Sequence, residues 1–219
     1  FIRQDPPFDM RYITNTFLLS KIQNKVKIIN NPESIRNYSE KIYAHDFAEY
    51  MPNTIISENL EILEEAYNRF GDVVIKPLYA FGGMDVTLIK KHDSAFREKV
   101  HILINKHQTP IIIQSFLPQV VSGDTRVLLA CGEIVGQILR TPSQGEIKAN
   151  LCAGGTAGYA TLTAKQKQIA EIIAKDTHKK GLYFVGLDFI GDYLTEINVT
   201  SPTGIRQASN EMNEDIAKK

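Results

Sequence analysis

Apolar positions recur along this chain with two periods, one helical and one extended, and stretches of each alternate from end to end. Asp9 is a plausible N-cap for a helix with Met10, Ile13, Phe17 and Leu18 on its apolar face. The short apolar run 26–29 reads as a strand. Ser39 starts a helix through Ile42 and Phe47. Ser57 starts another, carrying Leu60, Leu63, Tyr67 and Phe70, with Gly71 at its end. Val73-Val74-Ile75 predicts a strand entering Lys76-Pro77, with residues 85–89 as its hairpin or near neighbour. Asp93 starts a helix with Phe96, Val100 and Leu103 on one face, and residues 111–114 are again strand. Residues 126–130 and 134–139 flank a hairpin turn at Cys131-Gly132-Glu133. Thr163 and Gln166 have the spacing of a capping box, and Ile169, Ile172 and Ile173 carry that helix to Gly181. Residues 182–190 and 193–199 are two further strands around Gly191-Asp192.

Residues 142–158 break the pattern. They are rich in glycine and small residues and have no periodic apolar face, which predicts one long loop that works as a lid or binding segment. The whole reads as α+β with mainly antiparallel sheets. Weak boundaries lie near Asn31-Pro32 and near residues 114–118, the second separating two lobes. The chain begins at Phe1 and ends in a charged helical stretch, 210–219, with no glycine or proline to stop it, so it reads as part of a longer protein.

Charge narrows the function. Lys plus Arg is 25 and Asp plus Glu is 25, so there is no positive field for a nucleic-acid coat or a membrane-surface binder. No apolar run reaches the roughly 18 residues of a membrane span, and no signal peptide is visible. Cys131 and Cys152 read as free thiols of a cytoplasmic protein. The five histidines have no metal-ligand spacing, and no nucleophile signature is present.

Four segments could carry chemistry. Lys76 ends a buried strand and is followed by Gly82-Gly83, a pattern that can set an ammonium and backbone N–H groups around phosphate oxygens, or simply form a tight hairpin. Asp188 sits in an otherwise apolar strand, and alternation puts Glu196 and Asn198 on one face of the next. Two carboxylates and an amide oxygen are hard ligands that suit Mg²⁺. Arg126, Arg140 and Lys148 form a basic set, each on its own equally readable as a solvated charge. Asn150-Leu151-Cys152-Ala153-Gly154-Gly155 would let backbone N–H groups approach a ligand.

Taken together, these segments resemble the bacterial glutathione synthetases of the ATP-grasp superfamily, over nearly the whole chain. The most specific stretches are Asp5-Pro6-Pro7-Phe8-Asp9, Ile75-Lys76-Pro77-Leu78, Asn150 to Gly155, Val185-Gly186-Leu187-Asp188 and Leu194-Thr195-Glu196-Ile197-Asn198-Val199-Thr200-Ser201-Pro202. The resemblance implies two α+β lobes with the nucleotide between them: a remnant of an N-terminal domain at 1–38, a small lobe at 39–114, and a C-terminal lobe at 115–219 with a lid at 142–158. It implies ATP-dependent joining of γ-glutamylcysteine to glycine through an acyl phosphate. ATP would be held by Lys41, Lys76, Gly82, Gly83, Asp124 and the Gln114-Ser115-Phe116-Leu117 segment. Arg126, Arg140, Gly154 and Gly155 would serve catalysis. Arg126, Arg140, Lys148, Asn150 and Ser201 would hold substrate, and Asp188, Glu196 and Asn198 would ligate Mg²⁺ or Mn²⁺. The partners implied are small molecules, with no nucleic acid or membrane and with self-association left open.

Two departures stand out. The family's phosphate-covering loop usually begins Asp-Gly where this chain has Tyr79-Ala80, and Lys148 stands where the lid usually has arginine. Other readings are a related ATP-grasp carboxylate–amine ligase, such as one adding glutamate to a protein tail, or a nucleotide-binding module without turnover. The resemblance also constrains register. A two-residue turn at Gly191-Asp192 would pair Asp188 with Thr195 and turn it away from Glu196. A shared metal needs an odd-length loop, with Ile190 opposite Leu194, or an equivalent bulge.

Overall fold

The structure, a computed structural model, describes residues 1–143 and 155–218. Two sheets dominate it, and every strand pairing is antiparallel among the described residues. The fold is therefore α+β, as the alternation predicts.

The chain enters through α1 (Met10–Ser20), whose N-cap Asp9 accepts a hydrogen bond from the Tyr12 N–H at 2.9 Å. The cap is as expected, but the buried face is not. Tyr12 and Thr16 are buried, while Met10, Phe17 and Leu18 are exposed. Tyr12 packs beside Phe8 and joins the largest core cluster, and that contact sets the rotation of a helix whose own pattern is ambiguous. Residues 26–29 form no strand: they follow a turn and have no ladder partner among the described residues. Next come α2 (Pro32–Asn37) and α3 (Glu40–Tyr43), then a 3-10 helix (Ala44–Tyr50) with a kink at Phe47. The single helix expected from Ser39 is thus two short pieces.

The first sheet comprises β1 (Thr54–Ser57), β2 (Val73–Pro77), β3 (Thr87–Ile89) and β4 (Ile111–Ser115), in the order β1-β4-β2-β3. Strand β1 was not expected, because Ser57 looked like a helix cap. The cap of α4 (Leu60–Phe70) is instead Asn59, whose side chain accepts from the Glu61 and Ile62 N–H groups. Helix α5 (Phe96–His107) starts three residues after Asp93, which holds the preceding turn through the Ala95 N–H. Leu63, Tyr67, Val73, Ile75, Phe96, Val100, Ile111 and Ile113 seal this sheet against α4 and α5.

The second sheet comprises β5 (Asp124–Ala130), β6 (Glu133–Thr141), β7 (Thr156–Gly158), β8 (Phe184–Ile190) and β9 (Tyr193–Asn198), in the order β7-β6-β5-β8-β9. Strand β7 pairs with the end of β6, so the last part of the expected loop 142–158 is an edge strand. The 144–154 part lies outside the described residues. Helix α6 (Ala164–Lys179) starts with the expected capping box and buries Ile169 and Ile173 against β5, β8 and β9. On the other face, α7 (Ile205–Met212) covers Leu128 and Ile138. It stops at Asn213, which adopts φ 53° and ends the helix that the charged tail seemed to prolong.

Candidate functional site

Register sets up one wall of the site. Directly paired strand residues share a face, and so do residues two apart on one strand. Asp124 pairs with Arg140, and Arg126 pairs with Asp188. Asp188 pairs with Glu196. These five charged residues therefore form one patch across β6, β5, β8 and β9.

The β8–β9 pairing answers the register question in an unexpected way. The turn is the local one, with Ile190 opposite Tyr193 and Phe189 opposite Leu194. A bulge then adds Thr195 as an extra residue, and the next pair is Asp188 with Glu196. The three-residue loop is not formed, while the equivalent bulge is. The cause is core burial. Leu194 and Ile197 are both fully buried, yet three residues apart, which strict alternation cannot satisfy. Two consecutive residues, Thr195 and Glu196, thus line the open side. The Thr195 hydroxyl donates to the Asp188 carbonyl oxygen at 3.1 Å.

The charges on this wall neutralise one another. Asp188, 5% exposed, takes a two-pronged ion pair from Arg126, with Nη2 to Oδ2 at 2.8 Å. Arg140 Nη2 reaches its other oxygen at 3.0 Å. Arg140 also holds Asp124 through Nε at 2.6 Å and Nη2 at 2.8 Å. Burial alone would raise the Asp188 carboxyl, but the two guanidinium groups outweigh it and hold it well below the usual carboxylate range. Burial dominates at Asp124 and pushes it up to about 6, against the pull of Arg140. Asn198 donates to Asp188 Oδ2 at 3.1 Å. Gly186 is where Arg126 crosses β8: a Cβ there would sit 3.1 Å from both Cδ and Nη1 of that arginine.

The facing wall comes from the first sheet. Val73 and Ile75 point into its core, so Val74 and Lys76 point out toward the cleft. Lys76 Nζ donates to Gln114 Oε1 at 3.0 Å, and Gln114 Nε2 donates to Thr54 Oγ1 at 2.8 Å. No carboxylate salt bridge reaches Lys76 among the described residues. Burial, reinforced by nearby Lys41 and only partly offset by Glu196, lowers its ammonium to about 8. Lys41, on α3, sits between the walls: Nζ is 3.1 Å from Glu196 Oε1 and donates to the Ala80 carbonyl oxygen at 2.6 Å. Gly82 and Gly83 follow at φ 63° and 74°, the left-handed region where glycine carries no Cβ penalty.

Between the walls lies a cleft of about 950 Å³, open to solvent. It brings together Lys41, Lys76, Gly82, Gly83, the segment from Gln114 to Leu117, Asp124, Arg140, Asp188 and Glu196. Arg126 is buried behind Asp188, and Asn198 stands one hydrogen bond from it. Ser201 lies outside the cleft lining, where its hydroxyl donates to Asp5 at 3.0 Å. Gly155 precedes β7, while Lys148, Asn150 and Gly154 fall outside the described residues. Sequence reasoning missed Thr195, and its signal was the Leu194-x-x-Ile197 spacing. It also missed Glu40, which accepts from the Thr200 N–H at 3.1 Å and hydroxyl at 2.6 Å. No group of three His, Cys, Asp or Glu side chains fit to hold a metal occurs among the described residues. Asp188 and Glu196, side by side, offer the hard oxygen donors a divalent cation takes.

Comparison with known proteins points one way. The prokaryotic glutathione synthetase ATP-grasp domain matches residues 40–213, and the N-terminal domain of the same family matches residues 1–36. The glutathione synthetase of Agrobacterium fabrum is 42% identical over 216 residues, covering 99% of this chain and 68% of that protein. That of Rhodopseudomonas palustris is 40% identical over 218 residues, covering 100% and 70%. Among solved structures, the D-cycloserine synthetase DcsG superposes with a TM-score of 0.73 at 16% identity, over 95% of this chain and 77% of its own. D-alanine–D-alanine ligase from Bacillus anthracis, complexed with ATP, gives 0.61 at 13%, over 91% and 71%. At those identities the two structures speak to the fold alone.

Proposed function

This chain belongs to the prokaryotic glutathione synthetase family, and we propose that the cleft between its two sheets is where it carries out that family's ligation. It is an ATP-dependent carbon–nitrogen ligase that joins γ-glutamylcysteine to glycine and releases ADP and phosphate. A carboxylate is a poor electrophile. Its oxygen therefore attacks the γ-phosphorus of ATP, the glycine amine attacks the resulting acyl phosphate, and phosphate leaves.

In our reading Lys76 and Lys41 bind the triphosphate, and the backbone from Gln114 to Leu117 lines the adenine pocket. Gly82 and Gly83 bring backbone over the phosphates, and Asp124 completes the nucleotide site. Arg140 meets the transferring phosphoryl group, with Arg126 fixing Asp188 behind it. Asp188, Glu196 and Asn198 would hold Mg²⁺ or Mn²⁺, which when bound offsets charge on the phosphates. Lys41 must then leave Glu196, and a triphosphate beside it supplies the negative charge that draws it away. Lys148, Asn150, Gly154 and Gly155 are assigned to the lid over the acyl phosphate, and Ser201 to a substrate carboxylate. We divide the chain at 1–38, 39–114 and 115–219. No helix among the described residues is long and apolar enough to cross a membrane. Cys131 is free and exposed, which suits the reducing cytoplasm we assign to the protein.

The observation that carries this reading is a single cleft with a carboxylate-free cation on one wall and paired carboxylates on the other. The test is ADP release with γ-glutamylcysteine plus glycine, compared with D-alanine and glutamate as acceptors. Turnover should require γ-glutamylcysteine and prefer glycine. Equal turnover with the other acceptors would contradict the substrate assignment.

A further inference from the structure

One half-buried carboxylate, Glu40, takes no part in the scheme above. Beside the cleft lies a small annex lined by Glu40, Thr200, Phe8, Tyr79, Lys41 and Ala80. Lys41 and Ala80 line both spaces, and their mutual hydrogen bond is the partition between them. The rings of Phe8 and Tyr79 stack at 6.1 Å to form the outer wall. Glu40 uses only one oxygen to accept from Thr200. Glu40 itself lines the annex, and among the described residues its Oε2 carries no hydrogen bond. The space has room for roughly one water-sized group, the size of an ammonium head rather than of a whole amino acid.

We propose that the annex receives the amine of the incoming glycine and that Glu40 is the catalytic base that takes its proton. This rests on the acyl-phosphate reading above. Glycine arrives with its nitrogen as an ammonium, which has no lone pair to attack with. Glu40 accepts one proton, and the freed lone pair forms the C–N bond at the acyl carbon. The C–O bond to phosphate breaks with its electron pair on phosphate, and the second nitrogen proton goes to that phosphate. The amide keeps the third. The charged and titratable groups around Glu40 are Lys41 on its own helix, Glu196 on β9, Tyr12 on α1 and Tyr79 across the annex. Burial, then the negative charge of Glu196, raises the Glu40 carboxyl, while Thr200 and Lys41 pull it back.

The test pairs two nucleophiles on the whole chain with ATP and γ-glutamylcysteine. Glycine must lose a proton first, whereas hydroxylamine is uncharged near neutral pH and traps the acyl phosphate without a base. Glu40→Gln keeps an oxygen for Thr200. It should lower kcat/KM for glycine by about a hundredfold, the scale of a lost general base, and leave hydroxamate formation within about twofold of the parent. Equal loss of both reactions would assign Glu40 to folding or to carboxylate activation and overturn the proposal, as would no loss of either. Failure of the parent protein to form any hydroxamate would instead remove the acyl phosphate itself.

Discussion

The two walls of the cleft handle buried charge in opposite ways. On β5, β6, β8 and β9, Asp188 is gripped by Arg126 and Arg140, and Arg140 also by Asp124. On β2 and β4, the hydrogen-bond partner of Lys76 among the described residues is the neutral amide of Gln114. The first wall is balanced without ligand, so its charges hold the lobe together as well as facing the cleft. The second wall carries a cation whose burial Glu196 and Asp188 offset only in part, with no carboxylate salt bridge to it among the described residues. A cation without a direct counter-ion signals a ligand more clearly than a full network does, because structural networks also perturb pKa values.

The largest effect should separate the walls by stability. Asp188→Ala leaves two buried guanidinium groups with one fewer carboxylate, and breaking such a pair costs about 3–5 kcal/mol. Lys76→Met removes a charge without a direct counter-ion, at the expense of a donor to Gln114, and should change stability by less than about 1 kcal/mol. Urea unfolding of both variants measures the contrast, and equal losses would mean that the walls are alike. Because the Asp188 carboxyl is held below its ordinary value, its contribution is present above the usual carboxylate range. It is lost as pH falls through the depressed value.

Nucleotide affinity should rank the other way. Lys76→Met should weaken ATP binding more than tenfold, since charge-assisted contacts are worth about 1.5–3 kcal/mol and about 1.4 is one decade. Calorimetry showing unchanged affinity would remove Lys76 from the phosphate site. Lys41 stands between the walls and competes for Glu196. Lys41→Met should raise Mn²⁺ affinity without nucleotide by roughly fivefold, the factor that releasing an ion pair worth about 1 kcal/mol gives. Paramagnetic resonance of free Mn²⁺ reads this, and no gain would mean that Lys41 does not guard the carboxylate. Smallest is Thr195→Val, which removes one neutral hydrogen bond to the Asp188 carbonyl and should cost about 1 kcal/mol, with Thr195→Ser restoring it.

How much was legible in the sequence follows the same division. Strand β2 and the lysine at its end were readable from Val73-Val74-Ile75-Lys76, whereas the face that Lys76 takes shows only in the burial of Val73 and Ile75. The β8–β9 wall needed information from elsewhere. Its turn obeys the local Gly191-Asp192 signal, and only the burial of Leu194 and Ile197 by α6 and the N-terminal helices forces the bulge. The pairing of Arg126 with Asp188 depends on sheet order, which no local pattern carries. Helix α1 shows the same limit. Its cap was readable at Asp9, but its buried face was set by Tyr12 meeting Phe8. Asn59 in place of Ser57 as the α4 cap followed from an edge strand, β1, that is too short to announce itself.

Lys76 faces the cleft with a neutral amide as its hydrogen-bond partner and stands ready for a phosphate. Its ammonium is lowered to about 8, chiefly by burial, so part of the population is neutral just above that pH. A triphosphate favours the charged form and raises the pKa, so binding must take up a proton, and affinity must fall as pH rises through this window. Calorimetric titration of ATP at about pH 8.5, in two buffers of different ionisation enthalpy, measures that proton directly. Net uptake is expected in the parent protein, and its loss in Lys76→Met. A binding enthalpy independent of buffer in the parent, or the same uptake in the variant, would contradict this role for Lys76.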